Sequence, residues 1–158
     1  MIEVIPLDSR IPQAWALIPA FLERVRQFVL RYEPDESADF LCAEIRRCFA
    51  ADDYGRRGVA ILNDGRLVGH VLLMLEEHTD KRWLTIQQYE VDKGSGVTRE
   101  IADYWLDAFC KLAKELKAKQ VRARVQGDAR ARAFKRYGFK PFAVLLARDI
   151  GDSDGRDN

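Results

Sequence analysis

"VDKGSGVTREI", Val91 to Ile101, joins a segment that alternates like a strand to one that repeats like a long helix. A strand running through Lys93-Gly94-Ser95-Gly96-Val97-Thr98 into a helix places free backbone N–H groups, and the positive helix end, where a diphosphate can dock. Glycine suits such a loop because a Cβ would hold the ligand away from the backbone. A plain tight turn explains the same two glycines equally well. Two phosphate-loop fingerprints fail here: Arg99 stands where the third glycine of GxGxxG belongs, and the Gly-Lys-Ser/Thr ending of a Walker A loop is missing.

Upstream, "MIEVIPL" reads as a first strand, and "IPQAWALIPAFLERVRQFVLRY" spaces Trp15, Ile18, Leu22, Val25, Phe28 and Val29 as a helix does. Pro12 suits its start, whereas Pro19 is expected to kink or divide it. Pro34 separates it from a second helix in "ESADFLCAEIRRCF", capped by Ser37 or Asp35. The period then becomes extended: "VAILNDGRLVGHVLLMLEE" is two apolar runs joined by Asn63-Asp64-Gly65-Arg66, a hairpin signal. In the following strand, "RWLTIQQYEV", simple alternation puts Trp83, Thr85, Gln87 and Tyr89 on one face and Leu84, Ile86, Gln88 and Glu90 on the other.

Downstream, "TREIADYWLDAFCKLAKELKAK" carries an apolar stripe of Ile101, Tyr104, Trp105, Ala108, Phe109, Leu112, Ala113 and Leu116. "QVRARV" alternates as a strand, "DARARAFKRYGF" is a short basic helix ended by Gly138, and "PFAVLLARDI" is a closing strand. The expected organisation is a single domain over residues 1–150, with a frayed tail over 151–158 that has nothing to bury. The fold class is α/β (α+β): a mixed, mostly antiparallel central sheet with helices on both faces.

With 158 residues, 47% hydrophobic and 32% charged, the chain suits a soluble domain, and its formal charge of +1 argues against wholesale polyanion binding. That near-neutrality conceals an asymmetry: Lys111 to Lys140 holds eleven Lys and Arg against only Glu115 and Asp128, which points to a local anion site in the C-terminal third. Cys42, Cys48 and Cys110 match no zinc or redox spacing, so structural roles in a reduced cytoplasmic compartment are expected. The N-terminus does not read as a signal peptide, and no run reaches the roughly 18 apolar residues of a membrane span. His70 and His78, eight apart, fit no common metal-ligand spacing, so no metal is expected. His78 in "LEEHTD" reads as a loop residue. No Ser or Cys sits in a nucleophile setting, which leaves a triad hydrolase without support.

The order of elements, the glycine turn before a long helix and the later "RYGF" together resemble the GNAT acyltransferase family over roughly residues 2–149. The resemblance implies acetyl-CoA as cosubstrate, with Val91, Lys93, Gly94, Ser95, Gly96, Val97, Thr98 and Phe134 around the cofactor. It also implies a splay between the glycine-loop strand and Gln120–Val125, where pantetheine amides bind as a pseudo-strand. Lys93 takes the place of the family's leading basic residue, with Gly94 and Gly96 matching its glycines. The basic segment 122–140 would neutralise the adenosine phosphate end. Three departures stand out. Only Asp92 separates Val91 from Lys93, Thr98 falls where Gly or Ala is usual, and Phe134 occupies the position where many members carry a proton-donating Tyr. Tyr137, one residue before Gly138, reads as core or rim.

Acetyl transfer needs a neutral amine, and Glu90 is the only carboxylate in the body of the glycine-loop strand, so it is the candidate base. The plainer alternative is an exposed Glu at a strand end. Gln87, Gln88 and Tyr89 are candidates to orient an acceptor. The expected function is N-acetyl transfer by direct attack of an amine of unidentified class, small-molecule or protein. The alternative is a catalytically degenerate GNAT-like binding or structural module, since the "KGSGVTREIADYW" and "RARAFKRYGF" spellings also resemble divergent proteins of tailed phages. A homodimer is a further implication of the resemblance. Arg122, Arg124, Arg130, Arg132, Lys135 and Arg136 offer phosphate contacts, but no aromatic stacking platform accompanies them, so neither nucleic acid nor membrane is an expected partner.

Overall fold

The computed structural model describes residues 1–125 and 127–142. The closing strand expected from Pro141 to Ile150 lies almost wholly outside the described residues, and the expected tail lies wholly outside them. The chain runs β1 (Ile2–Pro6), α1 (Pro12–Tyr32), α2 (Ala38–Ala51), β2 (Arg57–Asn63), β3 (Arg66–His78), β4 (Lys81–Val91), α3 (Arg99–Glu115), β5 (Gln120–Ala123) and α4 (Asp128–Arg136). The strands form one sheet in the order β1-β2-β3-β4-β5, antiparallel throughout except for the parallel β4–β5 pair. Helices α1 and α2 cover one face, α3 and α4 the other, as the mixed architecture requires. Among the described residues no helix is long and apolar enough to cross a membrane.

Two cores result. Under α1 and α2, Phe21, Leu22, Val25, Val29, Leu41, Ile45 and Phe49 meet Ala60 and Leu72 of the sheet. Under α3, Trp105 and Ala113 meet Val71, Leu73, Leu84 and Ile86, with Phe134 and Phe139 packed alongside. Close approach of α1 depends on Gly58 of β2, where a Cβ would stand 2.6 Å from the Phe21 ring. Ser37 caps α2 by accepting from the Phe40 N–H at 3.2 Å, so Asp35 is not the cap. The β2–β3 turn sets Asp64 and Gly65 at φ 49° and 78°, the positive values a two-residue hairpin turn needs.

Several expectations are corrected. Helix α1 is not divided at Pro19: it runs as one helix from Pro12 to Tyr32, with the proline on its exposed face. Trp15 is mostly exposed rather than core; its indole donates to the Ser9 carbonyl at 2.8 Å and its ring meets Phe49 edge-on. On α3, Tyr104 and Ala108 face solvent, and Leu106 packs inward instead. His78 ends β3 opposite Lys81 rather than lying in a loop. Cys42 and Cys48 are buried, but Cys110 is exposed, and all three are free thiols.

The correction that matters most for function is in β4. The register with β3 shifts between Leu73↔Ile86 and Leu72↔Gln88, so Gln87 is an extra residue, a β-bulge. Leu84 and Ile86 face the α3 core, but beyond the bulge Tyr89 and Val91 take that face, while Gln88 and Glu90 turn toward α1. Strict alternation assigns these four residues to the wrong sides.

Candidate active site

The parallel pairing of β5 with β4 extends from Trp83↔Gln120 to Ile86↔Ala123 and closes where the Arg124 N–H donates to the Ile86 carbonyl at 3.0 Å. Strand β4 continues to Val91 with no strand beside it on that edge among the described residues. The bulge decides which groups face the gap. The Asp92 N–H donates to the Val68 carbonyl of β3 at 2.8 Å, so alternation directs the backbone of Glu90 toward β3 and the backbone groups of Tyr89 and Val91 into the gap. An extended ligand carrying amides can pair with them as a strand would.

Below this edge the glycine loop turns into α3. Gly94 and Gly96 have φ of 70° and 80°, a backbone that side chains with a Cβ adopt only under strain. The Ser95 N–H donates to the Asp92 carbonyl at 3.2 Å, and Ser95 is buried with its hydroxyl accepting from the Val97 N–H at 3.3 Å. Asn63, from the β2–β3 hairpin, braces the loop by donating to the Ser95 carbonyl at 3.0 Å. Thr98 caps α3, its hydroxyl accepting from the Ile101 N–H at 3.4 Å. That cap explains a threonine where the family pattern favours Gly or Ala. The Glu100 carboxyl accepts from its own N–H and from Thr98 on this turn, which holds it below its usual range, so the helix dipole and the Arg99 N–H are what the helix end offers the loop.

Two adjoining cavities, of about 450 and 530 Å³, share Tyr89, Val91, Asp92, Ala102, Ala133 and Tyr137 as walls. The first is lined by Gly94 to Arg99 and Arg136, a glycine loop beside two guanidinium groups. The second adds Trp105, Leu106, Phe109, Phe134 and Phe139, an apolar slot, with Glu90, Lys93, Arg31 and Arg130 at its margins. All nine residues singled out in the sequence therefore meet around one cleft: Gly94, Ser95, Gly96, Val97 and Thr98 on the first cavity, Glu90, Lys93 and Phe134 on the second, Val91 on both. The residues present fit acetyl-CoA, with outward backbone groups for the amides, an apolar slot, and a glycine loop at a helix N-terminus.

Arg136 reaches the loop cavity, joined by Arg99, whose guanidinium donates to the Arg136 carbonyl at 3.5 Å. Arg122 instead lies between the rings of Trp83 and Phe142, at 4.0 and 4.3 Å, and Arg124 pairs with Glu76 at 3.4 Å. Tyr137, expected as core or rim, lines both cavities. The sequence held a signal for it, because Arg130, Ala133, Phe134 and Tyr137 lie at helical spacings on one face of α4. Asn63 carried no signal, since its role depends on a loop 32 residues away.

Charge and burial shape the α1 side of β4. Arg31 pairs with Glu90 and Arg24 with Asp92, and the Arg24 hydrogen bond holds the Asp92 carboxyl below its usual range. Deeper in, Gln88 donates to Glu33 at 3.0 Å, which leaves its amide oxygen facing His70 Nε2 at 3.0 Å. His70 Nε2 therefore carries the proton, and burial depresses this histidine's pKa to about 4. Burial also raises the Glu33 carboxyl above its ordinary value, and it pushes the Tyr89 phenol up to about 12. Among the described residues no group of three or more His, Cys, Asp or Glu is placed to hold a metal.

The sequence matches no family model and no curated protein. Solved structures do match. A predicted acetyltransferase from Clostridium acetobutylicum, solved with acetyl-CoA, superposes with a TM-score of 0.70 at 16% identity over 95% of this chain and 97% of its own. A ribosomal-protein-alanine N-acetyltransferase from Brucella melitensis gives 0.64 at 14% identity, over 94% and 99%. An aminoglycoside acetyltransferase from an uncultured soil metagenomic sample, in complex with trehalose, gives 0.64 at 15%, over 94% and 96%. The fold of this chain, from the first strand through the splayed sheet to α4, is the fold these acetyltransferases share.

Proposed function

We propose that the protein is an acetyl-CoA-dependent N-acetyltransferase of the GNAT type. The observation that carries this reading is the juxtaposition of a β4 edge that no strand pairs among the described residues, with the backbone of Tyr89 and Val91 turned outward, and a glycine loop at the N-terminus of α3. The fold shared with acetyltransferases, one of them solved with acetyl-CoA, supports it. Gly94 to Thr98 with Arg99 and Arg136 hold the diphosphate, Tyr89 and Val91 pair with the amide arm, and Trp105, Phe109 and Phe134 flank its apolar part. When bound, acetyl-CoA supplies the acetyl thioester, to whose carbonyl an amine nitrogen adds as the sulfur departs. Glu90 takes the proton shed by that nitrogen, and the Tyr137 phenol gives one to the departing sulfur, the role that Phe134 cannot fill.

Isothermal titration calorimetry with acetyl-CoA on protein freed of nucleotides tests the reading, with Gly96→Trp as control. Saturable binding by the natural chain, lost in the variant, is expected; absence of heat at millimolar ligand would end it. A second reading, a GNAT-like binding module without catalysis such as a divergent phage protein, is favoured by one observation: Arg31 already occupies the Glu90 carboxylate at 2.8 Å. Binding of acetyl-CoA without thiol release across a broad panel of amines would select it.

A further inference from the structure

The gap between β4 and β5 is the route through the sheet from the α3 face, where the cleft lies, to the α1 face. Arg130 spans it. This residue sits on α4, whose Phe134 packs into the α3-side core, and it lines the apolar cavity. Its guanidinium nevertheless lies over Tyr32 at 4.1 Å and Phe28 at 4.8 Å, two rings of α1. Phe28 belongs to the opposite side of the sheet, where it meets His70 edge-on at 5.7 Å. Arg130 Nη1 also donates to the Tyr89 carbonyl at 3.4 Å. That carbonyl is one of the backbone groups the bulge turns into the gap.

From this placement we infer that Arg130 is a gate on the strand edge: it lies in the passage between the two faces and holds the Tyr89 carbonyl, and the amide arm of the cosubstrate binds by taking its place there. The inference rests on the proposed cofactor site and adds a competitor within it. Three properties suit a gate. The carbonyl bond is long, at the weak end of hydrogen bonding. The ring contacts are cation–π contacts, which hold the guanidinium without a fixed donor geometry. The two nearby carboxylates are engaged elsewhere, Glu33 with Gln88 and Glu90 with Arg31. A ligand that reaches only the glycine loop meets none of this.

The test is calorimetric titration of the natural chain, Arg130→Met and Arg130→Lys with two probes, acetyl-CoA and adenosine 3′,5′-bisphosphate, which lacks the amide arm. Methionine keeps the stem against the rings and removes the donors, so it frees the carbonyl with little loss of packing. If the gate is shut in most molecules, opening it raises apparent affinity by the inverse of the open fraction, about three- to tenfold for Arg130→Met with acetyl-CoA. The bisphosphate constant stays within about twofold, and lysine, which cannot reach both rings and the carbonyl together, falls between. Unchanged or weaker acetyl-CoA binding in Arg130→Met overturns the gate while leaving the cofactor site intact. Parallel tightening of both probes overturns it too, since the effect would then lie outside the passage. Failure of both probes to bind the natural chain overturns the cofactor reading and the gate with it. Circular dichroism melting of each variant separates these outcomes from misfolding, and Arg130→Lys carries the comparison if Arg130→Met does not fold.

Discussion

Arg31 of α1 donates through Nη2 to both oxygens of Glu90 on β4, at 2.8 and 3.2 Å. Two turns back on the same helix, Arg24 grips Asp92 at 2.9 Å, so α1 is tied to the last turn of the strand by two ion pairs. The Arg31 side chain is half exposed, which limits the pair to about 0–1 kcal/mol of stability. The pair holds the Glu90 carboxylate in one place at the margin of the apolar cavity.

Replacement Glu90→Gln should accordingly leave the melting temperature nearly unchanged, while thiol release with the best amine of a panel falls by roughly 10²–10⁴-fold, the usual worth of a general base. Acetyl-CoA affinity should hold. A variant with full turnover would remove Glu90 from the reaction.

Tyr137→Phe separates proton donation from wall-building. The ring stays, so acetyl-CoA affinity is expected within about twofold of the natural chain, and turnover drops by at least about tenfold. Stopped-flow thiol detection reads the step directly. Equal losses in binding and turnover would mark the tyrosine as a wall only.

Asn63→Ala removes the bond to the Ser95 carbonyl without touching the cavity surface. A net hydrogen-bond worth of about 0.5–1.5 kcal/mol predicts acetyl-CoA binding weaker by about two- to tenfold, read by calorimetry, with the maximal rate preserved. Unaltered affinity would show that the loop holds its shape without the hairpin.

His70 makes stability depend on acid. Its folded pKa, about 4, lies below the ordinary value of 6.5 because burial excludes the charged form. Below pH 6.5 the unfolded chain binds a proton that the folded chain refuses, so stability is lost progressively from about pH 6.5 toward pH 4, by on the order of 3 kcal/mol in full. Glu33, whose carboxyl is raised by burial, opposes this: the folded chain takes that proton more readily than the unfolded one, adding stability as pH falls through the raised value. Urea midpoints from pH 7.5 to 4.5 for the natural chain and His70→Gln isolate the histidine, and the difference between the two curves should narrow as pH drops. Parallel curves would show that His70 titrates alike in both states.

The long helix, the hairpin at Asn63-Asp64-Gly65-Arg66 and the glycine loop were legible in the sequence, because each depends on neighbours a few residues away. Periodicity, capping and positive-φ turn residues are local signals. Thr98 was legible only as a departure from a pattern; its role as a cap follows from where α3 starts, at Arg99.

Sequence by itself determined the order of the described elements and the mostly antiparallel sheet, because strand and helix periods and turn chemistry are written within short windows. Tertiary structure alone decided which way β4 faces after Gln87, that Asn63 holds the loop, and that Arg130 crosses from α4 to rings on α1. The physical reason is that one bulged residue reverses every side chain beyond it, and a bulge is set by pairing with β3 rather than by anything in β4 itself.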